Sequence, residues 1–454
     1  MKLVYGVNDK PSWGKTVVFA LQQVLAILAA TIAVPAIIGN GMDQAAALFG
    51  AGVGTLVYLA FTKFKSPVFL GSSFAFLGSM AAAFAGAASM SIGYFGLILG
   101  AVFAGLVYVI IALLVKKFGT AWVSKLMPAV VIGPTVAIIG LSLAPNAVGD
   151  FLNGQFVWDT APSANLGAVS LVVGLVTLGT TVACSVYGKK MMKLIPFIIG
   201  IAAGYLVALL FTGFGYWCNN DSIKLVDFSI FTNADWTQWY PKFTFLQMFN
   251  GGWENFNPAY IGTIAAAYIP VAFVVFAEHI ADHKNLSSII ESDLLVNPGL
   301  HRTLLGDGVG SMAGALFGGC PNTTYGESIG CVAISGNASV RTIFTAALMC
   351  IVLSFILPFT LVLKAIPRPV MGGVCIALYG FIAVSGLKML QPVDLGDNKN
   401  LFVASVILIA GVGGLTLTFA TQTGSTSISL TEVACALILG ILVNVLVHLK
   451  DKKA

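Results

Sequence analysis

Two carboxylic acids stand at positions where a bilayer would disfavour charge. Glu278 lies in the run 259–281, and Glu327 lies in the sequence Pro-Asn-Thr-Thr-Tyr-Gly-Glu-Ser-Ile-Gly of residues 321–330. An ionised group at the depth of a bilayer costs about 3 kcal/mol or more, so it is retained where it faces a cavity, a partner or a substrate. A carboxylate in such a place accepts charge-assisted hydrogen bonds from N–H groups. Both acids are therefore the first candidates for a binding site.

The composition predicts that these acids lie within a membrane. Hydrophobic residues make up 58% of the 454 residues, charged residues make up 9%, and the mean hydropathy is +0.94. Apolar windows of roughly 20 residues, enough to cross about 30 Å of hydrocarbon, recur from Val17 to Val447. We count about fourteen such windows, which predicts an all-α polytopic membrane protein. The third and tenth windows, Pro67 to Ala88 and Asn322 to Ser335, are rich in Gly, Ser and Thr and are predicted to be broken spans that carry short extended stretches.

Basic residues predict the orientation. Fourteen spans would place both termini and alternate loops in the cytoplasm, where positively charged loops are retained. Of the 23 lysines and arginines, only Lys224, Lys242, Lys364 and Arg368 fall on the opposite side. The net charge of +5 therefore reports topology, and we expect no nucleic-acid partner.

Internal similarity predicts two inverted halves. The segment Met127–Pro134 matches Ile366–Gly373 in its Pro, Val and Gly register. The offset covers seven windows, an odd number, so the second copy enters the membrane from the opposite side. The Gly/Ser/Thr-rich segments 71–76 and 322–327 hold equivalent third positions in their halves. An extended stretch there presents backbone N–H and C=O groups to a cavity, as in transporters with broken helices.

The chain resembles the nucleobase/ascorbate transporter family, and within that family the bacterial uracil permeases. The resemblance covers essentially the whole chain. It rests on five motifs: Phe-Ala-Glu-His at 276–279, Asn-Pro-Gly-Leu-His-Arg-Thr at 297–303, Pro-Asn-Thr-Thr-Tyr-Gly-Glu at 321–327, Gly-Ser-Ser-Phe-Ala-Phe at 71–76 and Pro-Val-Met-Gly-Gly at 369–373.

The resemblance implies a fold and an activity. Two inverted repeats of seven spans would form a core domain (residues 15–120 and 259–364) and a gate domain (121–215 and 365–450), with an extracellular loop at 216–258. The implied activity is uptake of uracil or a related nucleobase with protons, by alternating access, across the bacterial cytoplasmic membrane. A homodimer through the gate domains is implied as well, and no cofactor or metal is expected.

Uracil-like rings carry N–H donors beside carbonyl acceptors on a flat apolar face. We expect Glu278 and Glu327 to accept the ring N–H bonds, and backbone N–H groups near Phe74 and Gly326 to donate to the carbonyls. The matching positions surround the base in the family. Gly326 allows close backbone approach, and Phe74 packs against the ring. The further binding candidates are Ser73, Tyr325 and Tyr379.

Proton coupling requires a group that gains and loses a proton during transport, as buried acids and histidines do. Here the chain departs from its relatives, because some uracil permeases have a histidine at the position of Asp282. Asp282 lies one helical turn from Glu278 on the same face. We predict Glu278 as the first proton carrier, then Asp282, then His283. The alternative for Asp282 and His283 is a solvated cytoplasmic end of the span.

Three other polar residues receive different interpretations. His279 points about 100° around the helix from Glu278, so it is predicted to be a packing residue or to hydrogen-bond to another helix. For Asp307, a structural hydrogen-bonding role is favoured over a role in transport. Gln23 stands where the family often has histidine, so no coupling role is carried over to the first span.

Four other functions remain as alternatives. A xanthine or urate permease of the same family differs around the 322–327 segment. For an inorganic anion transporter of the same fold, acids in the site would repel the substrate. Such transporters usually carry a cytoplasmic domain after the last span, and we do not expect one after His448. A membrane enzyme is disfavoured because the sequence supplies no nucleophile, metal or cofactor site beside the acids. A channel is disfavoured because inverted halves with broken helices suit alternating access.

Overall fold

The chain is described by a computed structural model that covers residues 3–152, 162–189, 191–420 and 427–449, and most of these residues are helical. The α-helices of this part are α1 (Trp13–Ile38), α2 (Gln44–Phe61), α3 (Leu77–Ala85), α4 (Met90–Phe118), α5 (Ala121–Leu126), α6 (Ala129–Ser142), α7 (Ala144–Leu152), α8 (Pro162–Tyr187), α9 (Met191–Leu194), α10 (Pro196–Trp217), α11 (Ser229–Thr232), α12 (Thr244–Gln247), α13 (Ala259–Ile290), α14 (Leu300–Gly318), α15 (Gly326–Ser335), α16 (Val340–Ser354), α17 (Leu357–Lys364), α18 (Arg368–Lys388), α19 (Asn398–Val412) and α20 (Glu432–Val447). Short strands lie at β1 (Leu70–Ser72), β2 (Asn322–Thr324), β3 (Leu417–Ala420) and β4 (Ser427–Leu430).

The helices are those of a multi-pass membrane protein. Eight helical stretches of the described residues are long and apolar enough to cross a bilayer, and α16 with α17 forms a further pair bent by 84°. Shorter apolar helices lie at Phe74–Ala85, Asn398–Val412 and Glu432–Val447. The prediction of a mostly helical, polytopic chain is confirmed, whereas the count of about fourteen spans stays a prediction.

The two Gly/Ser/Thr-rich segments meet in the middle of the fold. Strands β1 and β2 pair antiparallel, with Leu70 opposite Thr324 and Ser72 opposite Asn322. A 3₁₀ turn (Phe74–Phe76) leads from β1 into α3, and β2 leads into α15 within two residues. The extended stretches predicted in these two segments are therefore present, each followed by a helix that begins inside the protein.

Close packing of α2 on α14 supports the strand pair. A Cβ atom added to Gly54 would lie 2.7 Å from the carbonyl oxygen of Gly310, and one added to Gly310 would lie 2.7 Å from that of Gly54. Only glycine at both positions lets the backbones approach this closely. Polar side chains then fasten the strands to α2, because Thr55 Oγ1 accepts a 2.9 Å bond from the Leu70 N–H and Asn322 Nδ2 donates a 3.0 Å bond to the Gly50 carbonyl.

The two segments that match in sequence also begin corresponding helices. Pro128 precedes α6 and Pro367 precedes α18, both with extended backbone angles. Proline suits this place because the first turn of a helix needs no donor from it. The two helices pack on each other, and a Cβ on Gly133 would lie 2.9 Å from the Gly386 carbonyl oxygen. The inversion of the two halves stays a prediction.

Two features were not predicted. Strands β3 and β4 pair antiparallel just before α20, on either side of residues 421–426, which lie outside the described part. Near the N-terminus, Tyr5 bridges to Asn337 beyond the end of α15. The predicted core, gate and loop ranges stay predictions, and the gate ranges 121–215 and 365–450 include residues outside the described part.

Candidate functional site

Helix α13 carries the acids of the candidate site on one face. Glu278 and Asp282, one turn apart, are each half-buried. Thr324 Oγ1, at the end of β2, donates a 2.6 Å hydrogen bond to Asp282 Oδ2. The strand pair is thereby joined to the acid face of α13, and Glu278 lies within electrostatic range of Asp282, Asp307 and Glu327.

The start of α15 supplies a third acid and a stretch of open backbone. Glu327 is half-buried in the first turn, and Gly326 before it is exposed. A Cβ added to Gly326 would meet no atom of the described residues within 4 Å, so open space lies beside this backbone. The first N–H groups of a helix have no partner within it and carry partial positive charge. This helix start therefore presents N–H donors beside the Glu327 carboxyl.

The 3₁₀ turn that leads into α3 forms the facing side. Ser73 donates its backbone N–H to the Pro321 carbonyl at 2.9 Å, which holds the end of β1 beside the start of β2. Ser73 and Phe74 are buried, with 1% and 7% of their surfaces exposed. The Phe74 ring meets the Tyr379 ring of α18 edge-on, at 5.4 Å between centroids.

Tyr325 is hydrogen-bonded to the strand pair. Its hydroxyl donates a 2.7 Å hydrogen bond to the Ser72 carbonyl, and its ring lies where a side chain on Gly71 would be. Gln23 of α1 donates from Nε2 to the Ser328 carbonyl at 3.4 Å, which ties α15 to α1. Tyr325 and Gln23 therefore hold the strands and α15 in place.

A second face of α13, about 100° around the helix from the acids, carries two fully buried histidines that contact two other helices. His279 Nδ1 lies 2.7 Å from Asp307 Oδ2, and His279 Nε2 lies 3.0 Å from Thr303 Oγ1, both on α14. The predicted bonding of His279 to another helix is confirmed, and Asp307 has the predicted hydrogen bond. His283 Nε2 lies 2.7 Å from the Tyr58 hydroxyl of α2.

The solvated helix end considered for Asp282 and His283 is wrong. Helix α13 continues to Ile290, and His283 is 0% exposed. Asp282 is half-buried and bonded to Thr324. The structure brings Glu278, Asp282, Glu327 and Gly326 around one strand pair, whereas His283 lies on the buried face with Tyr58.

Sequence reasoning missed two residues that contact these groups. Tyr58 lies on α2, 225 residues from His283. Its only signal in the sequence is a hydroxyl within an apolar helix. Thr324 lies inside the segment that suggested the site, and its spacing does not indicate that it reaches α13.

Comparisons with known proteins place the chain in a family. A family model described as a permease family matches residues 14–420. A uracil permease of Bacillus caldolyticus is 40% identical over 447 residues, which cover 98% of this chain and 95% of the relative. A uracil permease of Escherichia coli K12 is 33% identical over 90% of this chain and 87% of the relative, and a putative pyrimidine permease of the same strain is 31% identical over 91% and 87%.

Solved structures share the fold. The transmembrane domain of the cyanobacterial bicarbonate transporter BicA aligns with a TM-score of 0.64 at 16% identity, over 97% of this chain and 100% of that chain. The murine Solute Carrier 26 family member A9 anion transporter, in its inward-facing state, aligns with a TM-score of 0.65 at 11% identity, over 98% and 69%. At these identities the likeness concerns the fold alone.

The relatives that match in sequence are named permeases, so the protein is a transporter and not an enzyme. The motifs around Glu278, Glu327 and Phe74 lie in the part of the chain that the family model matches. The chain belongs to the nucleobase/ascorbate transporter family of permeases.

Proposed function

We propose that this protein imports uracil, or a closely related nucleobase, together with protons across the bacterial cytoplasmic membrane. The observation that carries the proposal is the meeting of two half-buried acids, Glu278 and Glu327, with the open backbone of Gly326 at one strand pair. The relatives named uracil permeases, which match nearly the whole chain, support this choice of substrate.

The chemistry of the pocket suits a pyrimidine ring. Glu278 and Glu327 accept the two ring N–H groups as charge-assisted bonds, each stronger than a neutral hydrogen bond. The N–H groups that begin α15 at Gly326, and those near Phe74, donate to the ring carbonyls. Phe74 packs on the flat face of the ring, and Tyr379 supports Phe74 from α18. In this proposal Ser73 and Tyr325 shape the strand ends.

Proton coupling is assigned to the acid face of α13. Glu278 and Asp282 lie one turn apart and within electrostatic range of Glu327, so ionising one carboxyl disfavours ionising the next. Such a group binds a proton with the substrate and releases it when the environment changes. Asp282 takes the place of the histidine in some relatives, with Thr324 as its hydrogen-bond donor, and His283 is the third coupling residue.

Alternating access follows from the proposed architecture. About fourteen spans in two inverted repeats are supported by the two strand-plus-helix segments and by the matching starts of α6 and α18. In this scheme residues 15–120 and 259–364 form the core domain and carry the acids. Residues 121–215 and 365–450 form the gate domain, through which a homodimer assembles. Both termini face the cytoplasm, as the basic loops predict.

The same fold serves anion transporters, but the cluster of acids disfavours an anionic substrate here. A purine base remains the alternative substrate to test. The experiment measures uptake of radiolabelled uracil in cells that lack their own uracil permease, with and without a protonophore, and with unlabelled xanthine as competitor. Glu278→Gln is the test variant, and Glu254→Gln, at an exposed residue of the 216–258 segment, is its matched control.

We expect uracil uptake that the protonophore abolishes, that xanthine leaves unchanged, and that is lost in Glu278→Gln but kept in Glu254→Gln. Uptake that xanthine blocks would assign the protein to the purine permeases. Uracil uptake that the protonophore does not change would remove proton coupling, and uptake that survives in Glu278→Gln would remove the acid from the site.

A further inference from the structure

The buried face of α13 carries a continuous hydrogen-bonded chain that the proposed binding site does not use. His283 Nε2 lies 2.7 Å from the Tyr58 hydroxyl, and that hydroxyl lies 2.7 Å from Ser66 Oγ. All three side chains are fully buried. The hydrogen-bonded chain therefore runs from α13 through Tyr58 of α2 to Ser66, the residue that follows the loop 63–65.

The direction of these bonds follows from the partners. His283 Nδ1 lies 2.8 Å from the carbonyl oxygen of His279. A carbonyl only accepts, so Nδ1 carries a proton, and Nε2 of the neutral ring is an acceptor. Tyr58 then donates to Nε2, and Ser66 donates to Tyr58. Both hydroxyls of this hydrogen-bonded chain therefore donate in the direction of His283.

The two ends of the chain lie in different surroundings. His283 directly follows Asp282 on the acid face of α13, whereas Ser66 directly follows Lys63, Phe64 and Lys65, which are exposed. The basic loop 63–65 is one that we place on the cytoplasmic side. The chain thus runs from beside the acids to the edge of a solvated loop.

We propose that His283, Tyr58 and Ser66 form a proton path from the buried face of α13, beside the acid face, to the loop 63–65. This inference rests on the proton coupling of the proposed function. A protonated His283 gives its Nε2 proton to the Tyr58 oxygen, Tyr58 gives its hydroxyl proton to Ser66, and Ser66 gives its own to a water molecule at the loop. Each hydroxyl is restored, and one proton leaves. The bond directions in the structure are those of the chain after release.

Neighbouring groups favour release from His283. Its ring stacks on that of His279 at 3.9 Å between centroids, and like charges at that distance repel. His279 also faces Asp307 and Thr303 of α14. Asp307 and Asp282 lie within electrostatic range of Tyr58, and their negative charges oppose release until they are neutralised. Protonation of the His279–Asp307 pair adds positive charge beside His283 and so favours transfer of a proton from His283 to Tyr58.

The test uses the purified protein in proteoliposomes that enclose a pH-sensitive dye. Inward uracil flux is measured with radiolabel, and proton flux is measured in the same preparation. Tyr58→Phe removes one hydroxyl and keeps the ring. The matched control is Tyr260→Phe, since the Tyr260 hydroxyl is also buried and donates a 2.6 Å bond, to the Ala83 carbonyl, outside the chain.

We expect Tyr58→Phe to lower proton flux per uracil at least about tenfold, the scale of a lost proton-transfer group. Exchange of internal for external uracil, which needs no net proton movement, should change by less than about twofold. Tyr260→Phe should keep both. If Tyr58→Phe does not fold, Ser66→Ala and Ser66→Thr decide, because only threonine keeps the hydroxyl.

The outcomes separate this inference from the proposed function. A wild-type protein that moves uracil without protons would overturn the coupling in the proposed function. A wild-type protein that couples the two fluxes, together with Tyr58→Phe and Ser66→Ala variants that couple them equally well, would overturn the path and leave the proposed function standing. Loss of exchange as well as proton flux in both variants would make Tyr58 and Ser66 structural and would also overturn the path.

Discussion

The two faces of α13 hold four ionisable residues in opposite conditions. Glu278 and Asp282 are half-buried and face the strand pair, whereas His279 and His283 are fully buried and bonded to α14 and α2. Residues only one position apart in sequence therefore differ in solvent exposure and in partners. In an α-helix, a step of one residue turns the side chain by about 100°.

This difference suggests a division of labour. An acid with access to a cavity can exchange a hydrogen bond with protein for one with substrate, at small cost. A histidine that is hydrogen-bonded between helices cannot move away without leaving a buried polar partner unsatisfied. We therefore expect substitutions on the acid face to change transport, and substitutions on the histidine face to change stability or the movement of protons.

The largest expected effect is on stability, from Asp307→Ala. This change leaves His279 Nδ1 buried without its partner, and breaking a buried pair from one side costs about 3 kcal/mol or more. Thermal unfolding of the purified protein in detergent should show a midpoint several degrees lower, whereas Glu254→Ala on the exposed loop should leave it unchanged. An Asp307→Ala protein with the wild-type midpoint but no uptake would instead assign Asp307 to transport.

The next effect concerns the acid at the start of α15. Glu327→Gln replaces a charge-assisted hydrogen bond to the substrate by a neutral one, and the loss of about 1.5 kcal/mol corresponds to roughly tenfold weaker uracil binding. Because Glu327 is half-buried at a helix start, the unfolding midpoint should change little. Titration of uracil into the purified protein measures the affinity. Equal affinity of the variant and the wild type would exclude Glu327 as a ligand.

Composition alone predicted much of the central architecture. The 71–76 and 322–327 segments are rich in Gly, Ser and Thr, which form helices poorly. The structure has strands in these segments, paired with each other although they lie about 250 residues apart in sequence. The acids Glu278 and Glu327 stood out because charge within membrane-spanning segments is rare. Both signals are local, so a single sequence is enough to show them.

Signals that depend on distant partners were missed. A solvated end of the span was the alternative for Asp282 and His283, yet α13 continues to Ile290, and Tyr58 and Thr324 bond these two side chains. The short β3–β4 pair likewise has no alternating pattern strong enough to predict it. Without the partner helix, nothing in a local window distinguishes a buried histidine from a solvated one.

A smaller effect should separate binding from coupling. Thr324→Val removes the donor to Asp282 at nearly constant shape, while Thr324→Ser keeps it. We expect proton flux per uracil in proteoliposomes to fall about fivefold in the valine variant, equivalent to about 1 kcal/mol, and to be restored in the serine variant. Uracil affinity should stay within about twofold in both. Weaker binding with unchanged coupling would place Asp282 in the substrate site.

The smallest effect is expected at Tyr379, whose ring meets that of Phe74 edge-on. An edge-on aromatic pair contributes about 1 kcal/mol beyond the burial of its surface, and that contribution belongs to the ring and not to the hydroxyl. Tyr379→Phe should therefore change uracil affinity by less than about twofold, whereas Tyr379→Leu, which removes the ring, should weaken it about fivefold by letting Phe74 shift. A Tyr379→Phe variant that binds as weakly as Tyr379→Leu would show that the hydroxyl itself contacts the substrate, and the site would then extend from α13 and the strand pair onto α18.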